Sequence, residues 1–142
     1  MRDIETISLA LTAAETGHLV IATLHTSSAA QTINRIVDVF PAGEKSTIRT
    51  LLSSSLQAVV SQNLLQMKGG GRCAAYEILI ANSSVRNLIR EDKIHQIPSA
   101  IEIGSNIGMI SMKDYIIELL EDDIITEETA ENTLDSLGLS SQ

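Results

Sequence analysis

TGHLVIATLHT, residues 16–26, is the stretch that decides the fold class. A largely apolar run, residues 19–24, stands between two histidines, His18 and His25. The run is short and β-branched and does not alternate with polar residues, which is typical of a strand covered on both faces in a parallel sheet. The sequence therefore predicts a buried strand at residues 19–24.

The segments on either side of this run have helical patterns. Apolar residues recur at spacings of three and four over residues 4–15, and Gly17 is suited to end that helix. Thr26, Ser27 and Ser28 offer caps for a second helix that Pro41 stops. A helix, a strand and a helix in succession indicate an α/β fold.

The rest of the chain predicts one long helix, a second strand and several short helices. An amphipathic stripe predicts a helix from about Glu44 to Met67, and CAAYEILI, residues 73–80, predicts a strand. The glycines of Lys68–Arg72 favour a hairpin or loop over a phosphate loop, because the spacing GxxxxGK(S/T) is absent. Short helices are expected at about 84–91 with Asn82 as cap, 93–103 interrupted by Pro98, 112–121, and 127–137 after Thr126.

One clear buried strand and one further strand cannot make a parallel sheet. Either the strands pair with another polypeptide, or these residues are the second half of a larger domain. A change in pattern near Ala81 and Asn82 predicts a boundary between an α/β part and an all-helical part.

Composition favours a single globular domain and excludes several classes of function. The 142 residues carry a formal net charge of −8, so nucleic acid is not expected as the main partner. Cys73 is the single cysteine, which excludes an internal disulfide and a CxxC zinc module. No apolar run approaches the roughly 20 residues of a membrane span, and residues 1–5 lack a signal peptide pattern. We expect a cytoplasmic protein without a membrane span.

The two histidines could be a metal pair, two ends of a core strand, or the edge of a larger site. On a strand, positions 18 and 25 point to opposite faces, which argues against a shared metal ion. Ligands of open α/β sheets bind beyond the C-terminal ends of strands, near helix N-termini whose free N–H groups attract phosphate. His25 is at that end, so it is the functional candidate, and His18 is expected to be structural or interfacial. His95 matches no motif, and no metal site is predicted.

A polar helix face is the simplest interpretation of Arg86, Asn87, Arg90 and Glu91. Arg86 and Arg90 lie one helical turn apart, and their apolar neighbours Val85, Leu88 and Ile89 would face the core.

Two segments carry a family resemblance: residues 1–41, MRDIETISLALTAAETGHLVIATLHTSSAAQTINRIVDVFP, and residues 84–93, SVRNLIREDK. They resemble the C-terminal half of the type IV pilus retraction ATPases, the PilT family of the secretion ATPase superfamily. The resemblance extends from Arg2 to about Leu137. It implies an α/β fold in which residues 1–81 are the C-terminal part of a RecA-like P-loop ATPase core and residues 82–142 are a small all-helical domain.

The resemblance also implies roles for individual residues. Residues 17–26 match the family's His box, which makes His25 a catalytic residue that senses the γ-phosphate of ATP. His25, Thr26, Arg2 and His18 would form the nucleotide-binding set. The family's AIRNLIRE signature corresponds to residues 84–91, where Ser84 and Val85 replace Ala and Ile. Its motor-coupling residues would be Arg86, Asn87, Leu88, Ile89, Arg90 and Glu91.

The resemblance implies that the complete protein is a hexameric, ATP- and Mg²⁺-dependent motor for pilus retraction and twitching motility. It would work in the cytoplasm, at the inner membrane, on the inner-membrane platform proteins of the pilus. The sequence contains neither a Walker A motif nor the family's Walker B glutamate, so the chain alone is predicted to be inactive. The alternative is a stand-alone, non-catalytic module that binds pilus-base or motor components.

Overall fold

A computed structural model describes residues 3–140 as a helical protein built around one β-hairpin. Two short 3₁₀ segments, Ile94–Gln96 and Gly104–Ile107, connect some of the helices. The elements in chain order are α1 (Ile4–Glu15), α2 (Ala29–Asp38), α3 (Lys45–Ser55), β1 (Ala58–Gln66), β2 (Arg72–Ile80), α4 (Ser83–Arg90), α5 (Ile97–Ile103), α6 (Met112–Glu121) and α7 (Glu127–Ser136).

Side-chain caps begin five of the helices. In each of them the side chain before the helix accepts the backbone N–H three residues further on, which satisfies a donor that the helix itself leaves unpaired. The predictions for α1, α4, α6 and α7 are confirmed, and Pro98 lies in the first turn of α5. The capping residues are Asp3, Ser28, Asn82, Ser111 and Thr126.

The long helix predicted from Glu44 to Met67 is wrong. It divides into α3, which ends at Ser55, and β1. Three consecutive serines, residues 53–55, donate their hydroxyls to carbonyls in the last turn of α3, and such bonds compete with the helical pattern. Beyond them, burial alternates along β1 with a period of two, so its apolar residues fit a strand with one covered face.

The turn between the strands is confirmed as a hairpin turn. β1 and β2 pair antiparallel, with Ala58 opposite Ile80 and Gln66 opposite Arg72. Gly69, Gly70 and Gly71 all have positive φ, which glycine adopts without the steric cost that other residues meet.

The strand predicted at residues 19–24 is also absent. Residues 18–26 have no regular secondary structure, and the side chains of Leu19 and Ile21 are 84% and 87% exposed. A strand forms only where a neighbour accepts and donates its backbone hydrogen bonds, and within residues 3–140 the hairpin is the only sheet.

Two apolar clusters make up the core, and the hairpin takes part in both. The larger cluster joins α1, α2 and α3 with α4, α5 and the Val59 and Leu79 end of the hairpin. The smaller one joins α6 and α7 with Leu65 and Ala75 at the other end. Because α4 and α5 pack into the larger cluster, apolar contacts cross the boundary predicted near Ala81, and the division into residues 1–81 and 82–142 stays a prediction.

No helix in residues 3–140 combines the length and the apolar character that crossing a membrane would require.

Candidate functional site

An open groove of about 1070 Å³ runs beside the stretch that contains both histidines. Residues 17–20 and 22–27 form one wall, and residues 58–63 of β1 form another. Side chains of α1 and of the first turn of α2, among them Ile7, Gln31 and Thr32, complete it. The exposed apolar run therefore borders a space large enough to receive further polypeptide.

The structure places His18 and His25 along the same groove. The prediction that they point to opposite faces is wrong, because it assumed a strand that does not form. Within residues 3–140, no three His, Cys, Asp or Glu side chains are grouped as metal ligands would be.

His18 belongs to the end of α1. Its N–H donates to the Ala13 carbonyl at 3.1 Å, and the N–H of Gly17 donates to the Ala14 carbonyl at 3.1 Å, the pattern of a Schellman motif. The His18 Nδ1 lies 3.2 Å from the Thr16 hydroxyl. These contacts explain how His18 is held without invoking a ligand.

His25 is exposed at the other end of the run, where two hollows meet. It lines the large groove and also a hollow of about 460 Å³ next to Gln31, Asn34, Arg35 and Asp38 of α2. An exposed imidazole in this place can donate an N–H to a ligand oxygen.

Thr26 is tied to α2 rather than directed into solvent. Its hydroxyl lies 2.6 Å from the hydroxyl of Thr32, which in turn donates to the Ser28 carbonyl at 2.9 Å. Because the single hydroxyl hydrogen of Thr32 is used on Ser28, Thr26 is the donor of the shorter bond. Thr26 therefore orients the turn, and its oxygen keeps acceptor capacity only.

Three N–H groups in the first turn of α2, those of Ala29, Gln31 and Thr32, have acceptors within the chain, contrary to expectation. Ala29 N–H donates to Glu77 Oε1 at 2.8 Å, and Gln31 N–H donates to Ser28 Oγ at 3.2 Å. Thr32 N–H donates to the Ser28 carbonyl at 3.0 Å. Protein groups thus occupy these three amides, which were expected to attract phosphate, and the His25 side chain becomes the main candidate contact.

Glu77 is the residue that sequence reasoning missed. It stands within the apolar strand segment CAAYEILI, where an acidic residue is unusual enough to have been a signal. In the hairpin it lies opposite Ser61, whose hydroxyl is buried and has no partner within residues 3–140. Together with Asn63, these residues form a polar layer on the hairpin between the two apolar clusters.

Residues 86–91, which were predicted to couple the motor, divide into an inner and an outer set. Arg86 Nη1 donates to the carbonyls of Ser53 at 2.7 Å and Ser54 at 2.9 Å, at the C-terminal end of α3. Ile89 is fully buried and Leu88 packs against the larger cluster. These three residues hold α4 in place.

The outer set is an exposed polar network. Asn87 Nδ2 donates to Glu91 Oε1 at 3.0 Å, and Arg90 Nη1 lies 3.4 Å from Asn87 Oδ1. The Lys93 ammonium, 2.6 Å from Glu91 Oε2, holds the pKa of that carboxyl below its usual range. This charged face is the part of the motif that a partner could reach.

The remaining residues considered in the sequence analysis are Arg2 and His95. Arg2 lies outside the described residues. Its neighbour Asp3 accepts the Thr6 N–H at 2.8 Å, and this bond lowers the pKa of the Asp3 carboxyl. His95 is exposed in the short 3₁₀ segment after α4.

Residues 1–113 match the model of the family described as Type II/IV secretion system protein. The chain belongs to this family. Over 130 residues it is 57% identical to the "Type IV pilus retractation ATPase PilT" of Pseudomonas aeruginosa, covering 92% of this chain and 38% of that protein. It is 60% identical over 131 residues to the "Twitching motility protein" of Neisseria gonorrhoeae, covering 92% of this chain and 35% of that protein.

Solved structures show the same likeness. The crystal structure of the pilus retraction motor PilT with bound ADP matches with a TM-score of 0.82 and 48% identity over 92% of this chain and 36% of that one. The ATPase DotB of Legionella pneumophila matches with a TM-score of 0.82 and 30% identity over 96% of this chain and 37% of that one. The resemblance read from the sequence and the α/β fold class of a secretion ATPase are confirmed. The chain spans about a third of the length of these relatives.

Proposed function

We propose that this chain is the C-terminal part of a subunit of an ATP-driven motor that powers type IV pilus retraction and twitching motility. The observation that carries the proposal is the exposed apolar run at residues 19–24, which borders an open groove and ends at His25. The 57% identity to the P. aeruginosa retraction ATPase over 92% of the chain supports the choice of motor.

The exposure of the apolar run at residues 19–24 supports a site that is completed by residues outside this sequence. Burying an aliphatic side chain the size of Leu19 or Ile21 stabilises a protein by about 1.5–3 kcal/mol. A neighbouring strand supplied from outside would bury both residues and pair the backbone of residues 19–24. His25 would then stand at the C-terminal end of a sheet strand, where α/β proteins bind their ligands.

In this proposal the chain supplies part of an ATP site. The His25 imidazole donates to the γ-phosphate, as catalytic residue and sensor, with Thr26, His18 and Arg2 around the nucleotide. ATP supplies the free energy of the motor, and Mg²⁺ is held largely by residues outside this chain, as the family resemblance implies. The phosphate cradle also lies outside, because the sequence has no GxxxxGK(S/T) motif.

The motor assembly is the remaining part of the proposal. Six subunits form a homo-hexamer in the cytoplasm, at the inner membrane, next to the platform proteins of the pilus. Residues 1–81 belong to the ATPase core and residues 82–142 to the helical domain. The outer set of α4, Asn87, Arg90 and Glu91, transmits movement to the pilus machinery, while Arg86, Leu88 and Ile89 hold that helix in place.

A chimera tests the proposal. This chain replaces the matched segment of the P. aeruginosa retraction ATPase, and ATP hydrolysis of the purified protein and twitching of a strain that carries it are measured. We expect hydrolysis and twitching from the chimera, and no hydrolysis from the 142-residue chain alone. His25→Ala should lower kcat by about 100-fold or more, whereas His95→Ala, another exposed histidine, should leave kcat unchanged.

The same experiment separates the motor from a stand-alone binding module. The module is favoured by the two apolar clusters, which give this chain a core of its own. It predicts an inactive chimera and capture of pilus-base proteins that Arg90→Ala abolishes and His25→Ala does not change. That pair of results would overturn the motor proposal.

A further inference from the structure

The half-buried carboxylate of Glu77 links the hairpin to the helix that follows the His25 turn. Glu77 points from β2 to the N-terminus of α2, where its Oε1 accepts the Ala29 N–H at 2.8 Å. The two residues are 48 positions apart in sequence, and Ala29 is fully buried. The bond is therefore a tertiary contact between two elements and not a local helix cap.

Three physical features make this contact strong. Its acceptor is a carboxylate, and hydrogen bonds to charged acceptors are roughly twice as strong as those between neutral groups. The carboxylate also lies at the N-terminus of a helix, where negative charge is favoured by the aligned peptide dipoles. Finally, Ala29 and the neighbouring Ser61 are both excluded from water, which weakens the screening of the charge.

A continuous set of contacts leads from this bond to the proposed site. Ser28, directly before Ala29, accepts from Thr32 through its carbonyl, and Thr32 accepts the hydroxyl of Thr26. Thr26 follows His25 in sequence. The place of His25 above the groove thus depends on where Glu77 holds the first turn of α2.

A helix cap alone does not account for Glu77. α2 already has Ser28 as its cap, with Ser28 Oγ accepting the Gln31 N–H at 3.2 Å. A carboxylate on the covered face of a strand loses part of its hydration, so an apolar residue would be the simpler choice for the core. The charge is better explained by the need to fix α2 against the hairpin at one point.

We propose that Glu77 is the positioning residue of the His25 turn. It ties the N-terminus of α2 to β2 and so sets the position of His25 over the groove. It also places a negative charge at the N-terminus of α2, next to the Ala29 amide, so the His25 side chain is the contact for an incoming phosphate group. The part that concerns phosphate rests on the proposed function, whereas the part that concerns His25 does not.

The first experiment uses the whole chain without nucleotide. Amide hydrogen exchange and the His25 ring resonances are followed by NMR for Glu77→Ala, Glu77→Gln and two controls. Glu77→Ala should speed exchange of the Ala29 amide by about tenfold or more and shift the His25 ring signals. Glu77→Gln keeps a neutral acceptor and should speed Ala29 exchange by roughly threefold. If Glu77→Ala fails to fold, Glu77→Gln decides the outcome.

The controls separate positioning from general destabilisation. Ser28→Ala should speed exchange of the Gln31 amide and leave the Ala29 amide protected, since the two amides have different acceptors. Glu102→Ala, at an exposed position of α5, should change neither amide nor the His25 signals. Unchanged Ala29 exchange, or unchanged His25 signals in Glu77→Ala and Glu77→Gln, would overturn the inference.

The second experiment places the same variants in the chimera with the P. aeruginosa ATPase. A positioning role predicts that Glu77→Ala lowers kcat by about 10- to 100-fold with a KM for ATP within about twofold, and that Glu77→Gln recovers part of kcat. Equal loss in Glu102→Ala, or a change confined to KM, would count against it. A chimera that is inactive with Glu77 intact would refute the proposed function alone, and the NMR results would still decide the position of His25.

Discussion

At the scale of single residues, the two arginines of α4 show what the sequence leaves open. Arg86 and Arg90 lie one turn apart on the same polar helix face, and the sequence predicts the same exposed environment for both. The structure separates them, because α3 ends beside Arg86 and not beside Arg90. That difference comes from a tertiary contact, which no local pattern encodes.

Arg86→Ala should lower the free energy of unfolding by about 1.5–3 kcal/mol. The change removes the guanidinium that satisfies two carbonyls at the end of α3, one of them on Ser53, which is buried. Urea denaturation followed by circular dichroism measures the loss. Arg90→Ala is the matched control and should cost no more than about 0.5 kcal/mol, since the residue is exposed. Equal losses in the two variants would contradict the role of Arg86 in satisfying the carbonyls at the C-terminal end of α3.

At the scale of elements, the sequence predicted what is decided locally. The helix α1 was predicted from its apolar spacing and the glycine that follows it, and α7 from its cap Thr126; these signals lie within each helix or next to it. β1 was missed because its apolar residues fit both a helical stripe and an alternating strand. The strand at residues 19–24 was predicted but does not form, because strand pairing depends on a neighbour distant in sequence or outside it.

At the scale of elements, the candidate site was likewise predictable only where its signals are local. His25 was found because it ends an apolar run before a capped helix, and both signals are local. Glu77 carried a local signal, an acidic residue within an apolar strand, but its role was missed because its partner Ala29 belongs to an element 48 residues away. A site assembled from two elements is visible in a single sequence only where each part carries its own signal.

The turn between β1 and β2 gives a prediction for the hairpin. Gly70 has a φ of 102°, which an L-residue with a side chain adopts only with strain. Gly70→Ala should therefore lower the free energy of unfolding by about 1–2 kcal/mol, measured by thermal or urea denaturation. Gly43→Ala is the control, because an added methyl group there meets open space and no positive φ is present. It should be neutral or slightly stabilising, and a larger loss there than at Gly70 would contradict the turn geometry.

At the scale of the whole molecule, the hairpin connects two apolar clusters, while the run beside the adjacent groove exposes Leu19, which lines the groove, and Ile21, which does not. An exposed apolar run next to the free edge of β1 favours association with another chain. We therefore expect the chain alone to self-associate through this groove.

Leu19→Lys combined with Ile21→Lys should weaken that self-association by about tenfold or more, because two aliphatic side chains worth about 1.5–3 kcal/mol each on burial are replaced by charges that repel one another. Sedimentation velocity over a range of concentrations measures the dissociation constant. Ile103→Lys serves as control, since Ile103 is 81% exposed on α5 and does not belong to the apolar run at residues 19–24. Association that responds to Ile103→Lys as strongly as to the double change would show that general surface hydrophobicity, and not the exposed apolar run at residues 19–24, holds the copies together.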